Sequence, residues 1–418
     1  MNSDPTLKSS GETPTSPTLR RALSLPLLTL YGLGVTVGAG IYVLIGVTVA
    51  EAGAYAWIAF LLAALVVGFT AFSYAELATR YPVSAGEAAY VDAAFGLPKL
   101  STIVGALVAL AGIVSASAIA VGASRYLGGL TGFPAAPLIV GIVTAMGLLA
   151  WWGITQSVTV AAVVTVIEIL GLAFVITWGF AYSGRDGVEI AELLPPLQGD
   201  HWGGIVSASL LAFFAFVGFE DMVNVAEEVE NPRRNMPRAI VYTLVAATIL
   251  YVATSVAVLV AVPIDLLAGS STPLTLVFAG APDVVQSGFA AVAVVATVNG
   301  VLIQMIMASR VLYGMADRGQ LPRLLAQISG RTRTPGVATA FVTVCILSLS
   351  LFLPIERLAE WTSVIVLGVF VFVNIALVAL KRRPETGTAT SDGHFTVPIA
   401  VPLFGIVTSF ALLATTFI

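Results

Sequence analysis

The chain has 418 residues, of which 58% are hydrophobic and only 10% charged, with a net charge of −4 and a mean hydropathy of +0.98. A soluble globular protein of this size needs far more surface charge, so that class is excluded. A single cysteine, Cys345 in an apolar run, excludes a disulfide framework and reads as a small hydrophobe.

Residues 1–21 are rich in Ser, Thr and Pro and carry Lys8, Arg20 and Arg21. They lack the apolar core and cleavage site of a signal peptide and read as a disordered cytoplasmic tail. A helix needs roughly 20 residues to cross the hydrocarbon core. Runs free of Asp, Glu, Lys and Arg predict spans over 26–50, 55–79, 100–127, 134–153, 158–183, 203–224, 238–262, 285–312, 336–354, 361–381 and 395–416, with few charges inside them. Trp151, Trp152, Gly153 and Gln156 divide one overlong run as an interfacial turn. The fold expected is an all-α polytopic membrane protein of about 11 helices.

With a cytoplasmic N-terminus, Lys8, Arg20, Arg21, Arg80, Lys99, Arg233, Arg234, Arg238, Arg310, Arg318, Arg323, Arg331, Arg333, Lys381, Arg382 and Arg383 fall inside. Only Arg125, Arg185 and Arg357 fall outside. This positive-inside bias predicts a multi-pass protein of a plasma membrane, most simply a bacterial inner membrane, with its C-terminus extracytoplasmic.

Two spans carry helix breakers in their middle. The first holds Gly32, Gly34, Gly38, Gly40 and Gly46; the sixth reads Phe214 to Gly218, then Phe219, Glu220 and Asp221. They lie five spans apart, and an odd offset inverts the second copy. The expectation is two inverted five-helix repeats with broken helices 1 and 6 and one extra helix. Residues 22–184 form the first repeat, 185–202 an extracellular loop, 203–383 the second repeat, and 384–418 a linker and the eleventh helix.

Irregular backbone is tolerated at membrane depth only where it lines a cavity. At a break, freed amides and a half-helix N-terminus favour a carboxylate, while freed carbonyls favour an ammonium or a metal cation. An α-amino acid carries both charges on neighbouring atoms. Gly38 and Gly40 let backbone approach it closely.

At these residues the chain resembles the amino acid–polyamine–organocation superfamily of permeases. Gly38-Ala39-Gly40-Ile41-Tyr42 is similar to that family's helix-1 motif, with Tyr where Phe is usual. The string from Phe214 to Glu220, the loop from Ala226 to Ala239, and the stretches Ser73 to Pro82 and Ser309 to Pro322 also match. The resemblance implies secondary active transport of an amino acid by alternating access, with no cofactor. It implies carboxylate contact with the amides of Ala39, Gly40 and Ile41. Ammonium contact maps to carbonyls of Thr36, Phe214 and Val217, and Phe214, Phe216 and Phe219 would close over the substrate.

Glu168 sits mid-span among apolar neighbours, where a carboxylate must be protonated, paired or cavity-facing. Proton-coupled relatives often carry a lysine at the matching place. Glu168 is therefore a candidate proton carrier or, with helix-1 carbonyls and Ser309, a Na+ ligand; proton-coupled symport is the preferred reading. A sodium-coupled symporter and an exchanger of cationic amino acids or polyamines are the alternatives.

Glu220 at the second break could contact the substrate ammonium, sense protons, recognise a cationic side chain or cap the following half-helix, and Asp221 is expected to be a cap. Glu76 and Arg80 are read as a structural i,i+4 pair. The acids Glu227, Glu228 and Glu230 beside Arg233 and Arg234 read as a cytoplasmic charge network. His201 and His394 read as solvated loop residues. No zinc spacing, phosphate loop or Cys–His pair points to an enzyme, and one chain with an inverted repeat fits alternating access better than a channel.

Overall fold

The computed structural model describes residues 23–37, 40–83, 86–152, 158–181, 187–196, 199, 201–330, 332, 334–383 and 394–417. The tail at 1–21 and the motif residues Gly38 and Ala39 lie outside them. The elements are α1 (Leu25–Val37), α2 (Gly40–Ala52), α3 (Ala56–Arg80), α4 (Gly86–Phe95), α5 (Pro98–Thr131), α6 (Ala135–Trp152) and α7 (Val158–Ala181). They continue with α8 (His201–Phe214), α9 (Pro232–Ala261), α10 (Ile264–Gly269), α11 (Asp283–Asp317), α12 (Gly336–Phe352), α13 (Ile355–Arg382) and α14 (Ala400–Ala414). Among the described residues there are no strands, only a bridge between Leu23 and Val229. The chain is an all-helical polytopic membrane protein. Among the described residues, eight helical stretches are long and apolar enough to cross a membrane, and Leu25–Val37, Gly336–Phe352 and Ala400–Ala414 are shorter apolar helices.

Lipid leaves the backbone no outside hydrogen-bond partner, so apolar sequence of this length closes its bonds as helix. Punctuation follows local chemistry. Pro98 and Pro232 each occupy a first helical turn, where a missing N–H costs nothing. Gly132, at φ 73°, ends α5 in the left-handed conformation. Small residues set the helix approach: α5 packs along α11, where Gly112 faces Ala308 and the Met307 tip. The end of the expected sixth span, 203–224, and the start of the loop after it are 3₁₀-helical over Phe219–Glu228. This 3₁₀ stretch is pinned at its end by backbone bonds of Leu23 to Glu228 and Glu230. His201 is not a loop residue; it opens α8 and meets Tyr55 edge-on.

The Glu76–Arg80 pair is present at 2.5 Å, and a third partner was not legible in the sequence. Lys381 of α13 reaches the same buried carboxylate at 2.7 Å, and the Val397 amide donates to it at 2.8 Å. The site ties α3, α13 and the strap before α14 together. Glu76→Gln should lower stability by about 3 kcal/mol, because it strands two cations against a buried amide. Thermal unfolding in detergent reads this; an unchanged midpoint would show the network to be ornamental.

Candidate functional site

The residues on either side of the expected first break pack directly on the second. α1 is described up to Val37 and α2 from Gly40; α8 ends at Phe214 and gives way to turns through Gly218. A β-carbon on Gly40 would overlap the Ala215 Cα and lie 2.6 Å from its Cβ. One on Gly218 would lie 2.8 Å from the Val35 carbonyl oxygen, and Gly218 has φ 118°. Both glycines are required here, by close approach at Gly40 and by approach plus conformation at Gly218.

Tyr251 of α9 joins the pair. Its hydroxyl lies 2.8 Å from the Thr36 carbonyl and 2.7 Å from the Ala215 carbonyl, donating its one proton to either. Phe216 and Phe60 hold its ring at centroid distances of 5.0 and 5.9 Å. The Thr36 and Ala215 carbonyls thus share one donor, which bonds one of them at a time.

Beside the breaks lies a cavity of about 10 Å³, walled by Thr36, Gly40, Phe214 and Val217, with Ser115 of α5 and Gln304 of α11. It is too small to hold an amino acid in this conformation. A second cavity of about 20 Å³ shares the walls Val217 and Gln304 and is lined by Tyr74, Glu87, Glu220 and Asp221.

The structure sorts the predicted residues. Thr36, Gly40, Phe214 and Val217 meet at the first cavity, with Ile41 buried beside them. Phe216 does not face it; it packs on Tyr251. Phe219 packs edge-on against Tyr74 and Phe370. The tight turns explain the split, because side chains three apart align there, as Phe214 and Val217 do, while the intervening ones splay. Glu220 caps the break: its Oε2 accepts the Gly218 N–H at 2.8 Å. Asp221 receives Gln304 Nε2 at 3.4 Å.

Glu168 is wholly buried on α7, and neither carboxyl oxygen has a partner in hydrogen-bonding geometry. Its polar neighbour is Asn299 of α11. Tyr42 donates to the Glu168 backbone carbonyl at 2.9 Å, tying α2 to α7. Ser309 is not brought to Glu168. It lies ten residues beyond Asn299 on α11, about 15 Å along the helix, and its hydroxyl donates to Ile306 at 2.9 Å.

Tyr251, Ser115, Gln304, Asn299 and Glu87 were missed by sequence reasoning. The available signal was an uncharged polar residue inside an otherwise apolar run. Glu87, on the short helix α4 between spans, accepts from the Tyr74 hydroxyl at 3.1 Å. Burial pushes its carboxyl up from 4.5 to about 7, partly opposed by its backbone and Tyr74 hydrogen bonds. An acid raised on folding stabilises fully below its unfolded value and loses that contribution as pH rises to its folded value. Stability should therefore fall between pH 4.5 and about 7, by on the order of 3 kcal/mol. Glu87→Gln should flatten that part of an unfolding-versus-pH series.

The family model described as amino acid permease matches residues 23–418. The branched-chain amino acid permease BcaP of Bacillus subtilis is 31% identical, over 87% of this chain and 82% of its own. The vacuolar cationic amino acid transporter 2 of Arabidopsis thaliana is 32% identical, over 88% of this chain and 60% of its own. The methylthioribose transporter of Bacillus subtilis is 28% identical, over 94% and 87%. An all-helical polytopic chain matched along nearly its whole length by this family model belongs to the amino acid permease family of the amino acid–polyamine–organocation superfamily.

Proposed function

We propose that this permease is a secondary active transporter that moves an α-amino acid across the plasma membrane by alternating access, coupled to protons. The observation that carries the reading is the meeting of Thr36 and Gly40, from either side of the expected first break, with Phe214 and Val217 of the second at one cavity. There, amides at Gly40 and Ile41 suit a carboxylate. Carbonyls of Thr36, Phe214 and Val217 suit the neighbouring ammonium; each carbonyl has two lone pairs, so an existing bond does not exclude a second.

Helix pairing supports the inverted repeat. Span 1 packs on span 6 through α2 and α8, span 2 on span 7 through α3 and α9, span 3 on span 8 through α5 and α11, and span 4 on span 9 through α6 and α12. Each pair is five spans apart, as two interlocked five-helix units require. The lysine and arginine bias supports a cytoplasmic N-terminus.

Proton coupling is favoured over sodium because Glu168 is a buried acid without the Ser309 oxygen beside it. The testing experiment is uptake of a labelled amino acid panel into proteoliposomes under an inward proton gradient, then under a sodium gradient. Accumulation with protons alone is expected. Accumulation with sodium alone would reject proton coupling, and counterflow without accumulation would make the protein an exchanger.

A further inference from the structure

The lipid-facing side of α3 and α9 carries a cleft that the transport reading leaves unused. At the N-terminal end of α9 an open cavity of about 650 Å³ is lined by Arg233, Arg234, Arg238, Tyr242 and His394. No Asp or Glu is among its lining residues. From its floor, at Phe72 and Val241, an apolar groove of about 260 Å³ runs between the helices to Ala64 and Ile249. That is eight residues along each helix, or about 12 Å. Gly68 forms the groove floor, and a β-carbon there would meet nothing within 4 Å.

The charge arrangement is unfavourable for the protein alone. Arg234 stands in the first turn of α9, which holds no acid, against the positive end of the helix dipole. Arg234 and Arg238 are an i,i+4 pair of like charge, both exposed, and neither forms an ion pair among the described residues. Two repulsions of one sign, at a helix N-terminus beside an apolar groove, are relieved together by an anion that carries a hydrocarbon chain.

We propose that this cleft binds an anionic phospholipid, with its phosphate held by Arg234 and Arg238 and one acyl chain lying along the groove over Gly68. Basic residues immediately next to a span recognise anionic headgroups, and guanidinium forks fit phosphate oxygens in pairs. The groove supplies what a free phosphate cannot use, which is why the lipid rather than a soluble anion is the occupant. On the topology proposed above, the headgroup sits in the cytoplasmic leaflet.

Native mass spectrometry of the purified full chain, titrated in detergent with phosphatidylglycerol and in parallel with phosphatidylcholine, tests the site. Phosphatidylglycerol should be retained in preference. R234Q/R238Q should weaken that retention by about thirtyfold, since each arginine near a headgroup contributes about fivefold. Gly68→Leu, whose side chain enters open space and leaves the fold intact, should weaken retention with all arginines in place. Excess inorganic phosphate should not displace the lipid. Equal retention of the two lipids, retention unchanged in either variant, or displacement by inorganic phosphate alone would overturn the proposal.

Discussion

Gly40→Ala is expected to abolish uptake and to lower the unfolding midpoint. The added β-carbon has nowhere to go, because the atoms it meets are the Ala215 Cα, Cβ and backbone N, the last at 2.9 Å. A side-chain tip can rotate aside, but backbone at a helix break cannot move without carrying α8 and the following turns with it. Overpacking a close contact costs about 1–3 kcal/mol when side chains can adjust, and here the adjustment must come from two half-helices. Tyr251 sharpens the effect, since its hydroxyl sits within hydrogen-bonding distance of the Thr36 and Ala215 carbonyls and cannot keep both if the breaks part. Gly68→Ala is the control, as its β-carbon meets open space. Uptake and thermal unfolding should be compared for both variants. Wild-type uptake by the Gly40 variant would mean that the breaks do not stay in contact during the cycle.

Legibility of the chain divided along physical lines. Apolar runs placed the long helices within a few residues because lipid forces the backbone to close its own hydrogen bonds. Thus α3, expected over 55–79, spans Ala56–Arg80, and α13, expected over 361–381, gains only the first turns from Ile355. The short helices α4 and α10 were invisible, since they lie between spans and have no membrane-length run to announce them. Glycines and acids drew attention to Gly40, Gly218 and Glu220 because such residues are costly inside a membrane unless they have a role. Tyr251 and Gln304 carry no such cost signal; their importance comes from where α9 and α11 pack, which depends on contacts between helices five spans apart. The three phenylalanines of the second break looked equivalent as a string. Only the change from α-helix to tight turns, which puts Phe214 and Val217 on one face, separates the one that walls the cavity from the two that brace it.

Glu168→Gln should abolish proton-driven accumulation while leaving exchange. An inward gradient of one pH unit supplies about 1.4 kcal/mol per proton, enough for about tenfold accumulation at one proton per substrate. With Gln the ratio should fall to about one, since an amide of the same shape carries no exchangeable charge. The reason to expect loss of coupling rather than loss of fold lies in the surroundings. Both carboxyl oxygens lack a hydrogen-bonding partner in this closed conformation, so replacing them breaks no ion pair. The contact that does anchor the residue, from the Tyr42 hydroxyl, goes to its backbone carbonyl and survives the substitution. That same contact ties α7 to the half-helix beginning at Gly40. A change of charge at Glu168 therefore acts within reach of the first break, where movement of α2 would admit or release the substrate. A buried carboxylate with only the neutral Asn299 beside it is costly to ionise there, and less costly once a cavity opens. Closure would then require a proton, and opening towards the less acidic side would release it. Counterflow at equal pH on both sides needs no net proton movement and should persist in the variant. If Glu168→Gln still accumulates substrate under a proton gradient, the coupling group must be another buried acid, and the cluster of Glu87, Glu220 and Asp221 at the second cavity becomes the next place to substitute.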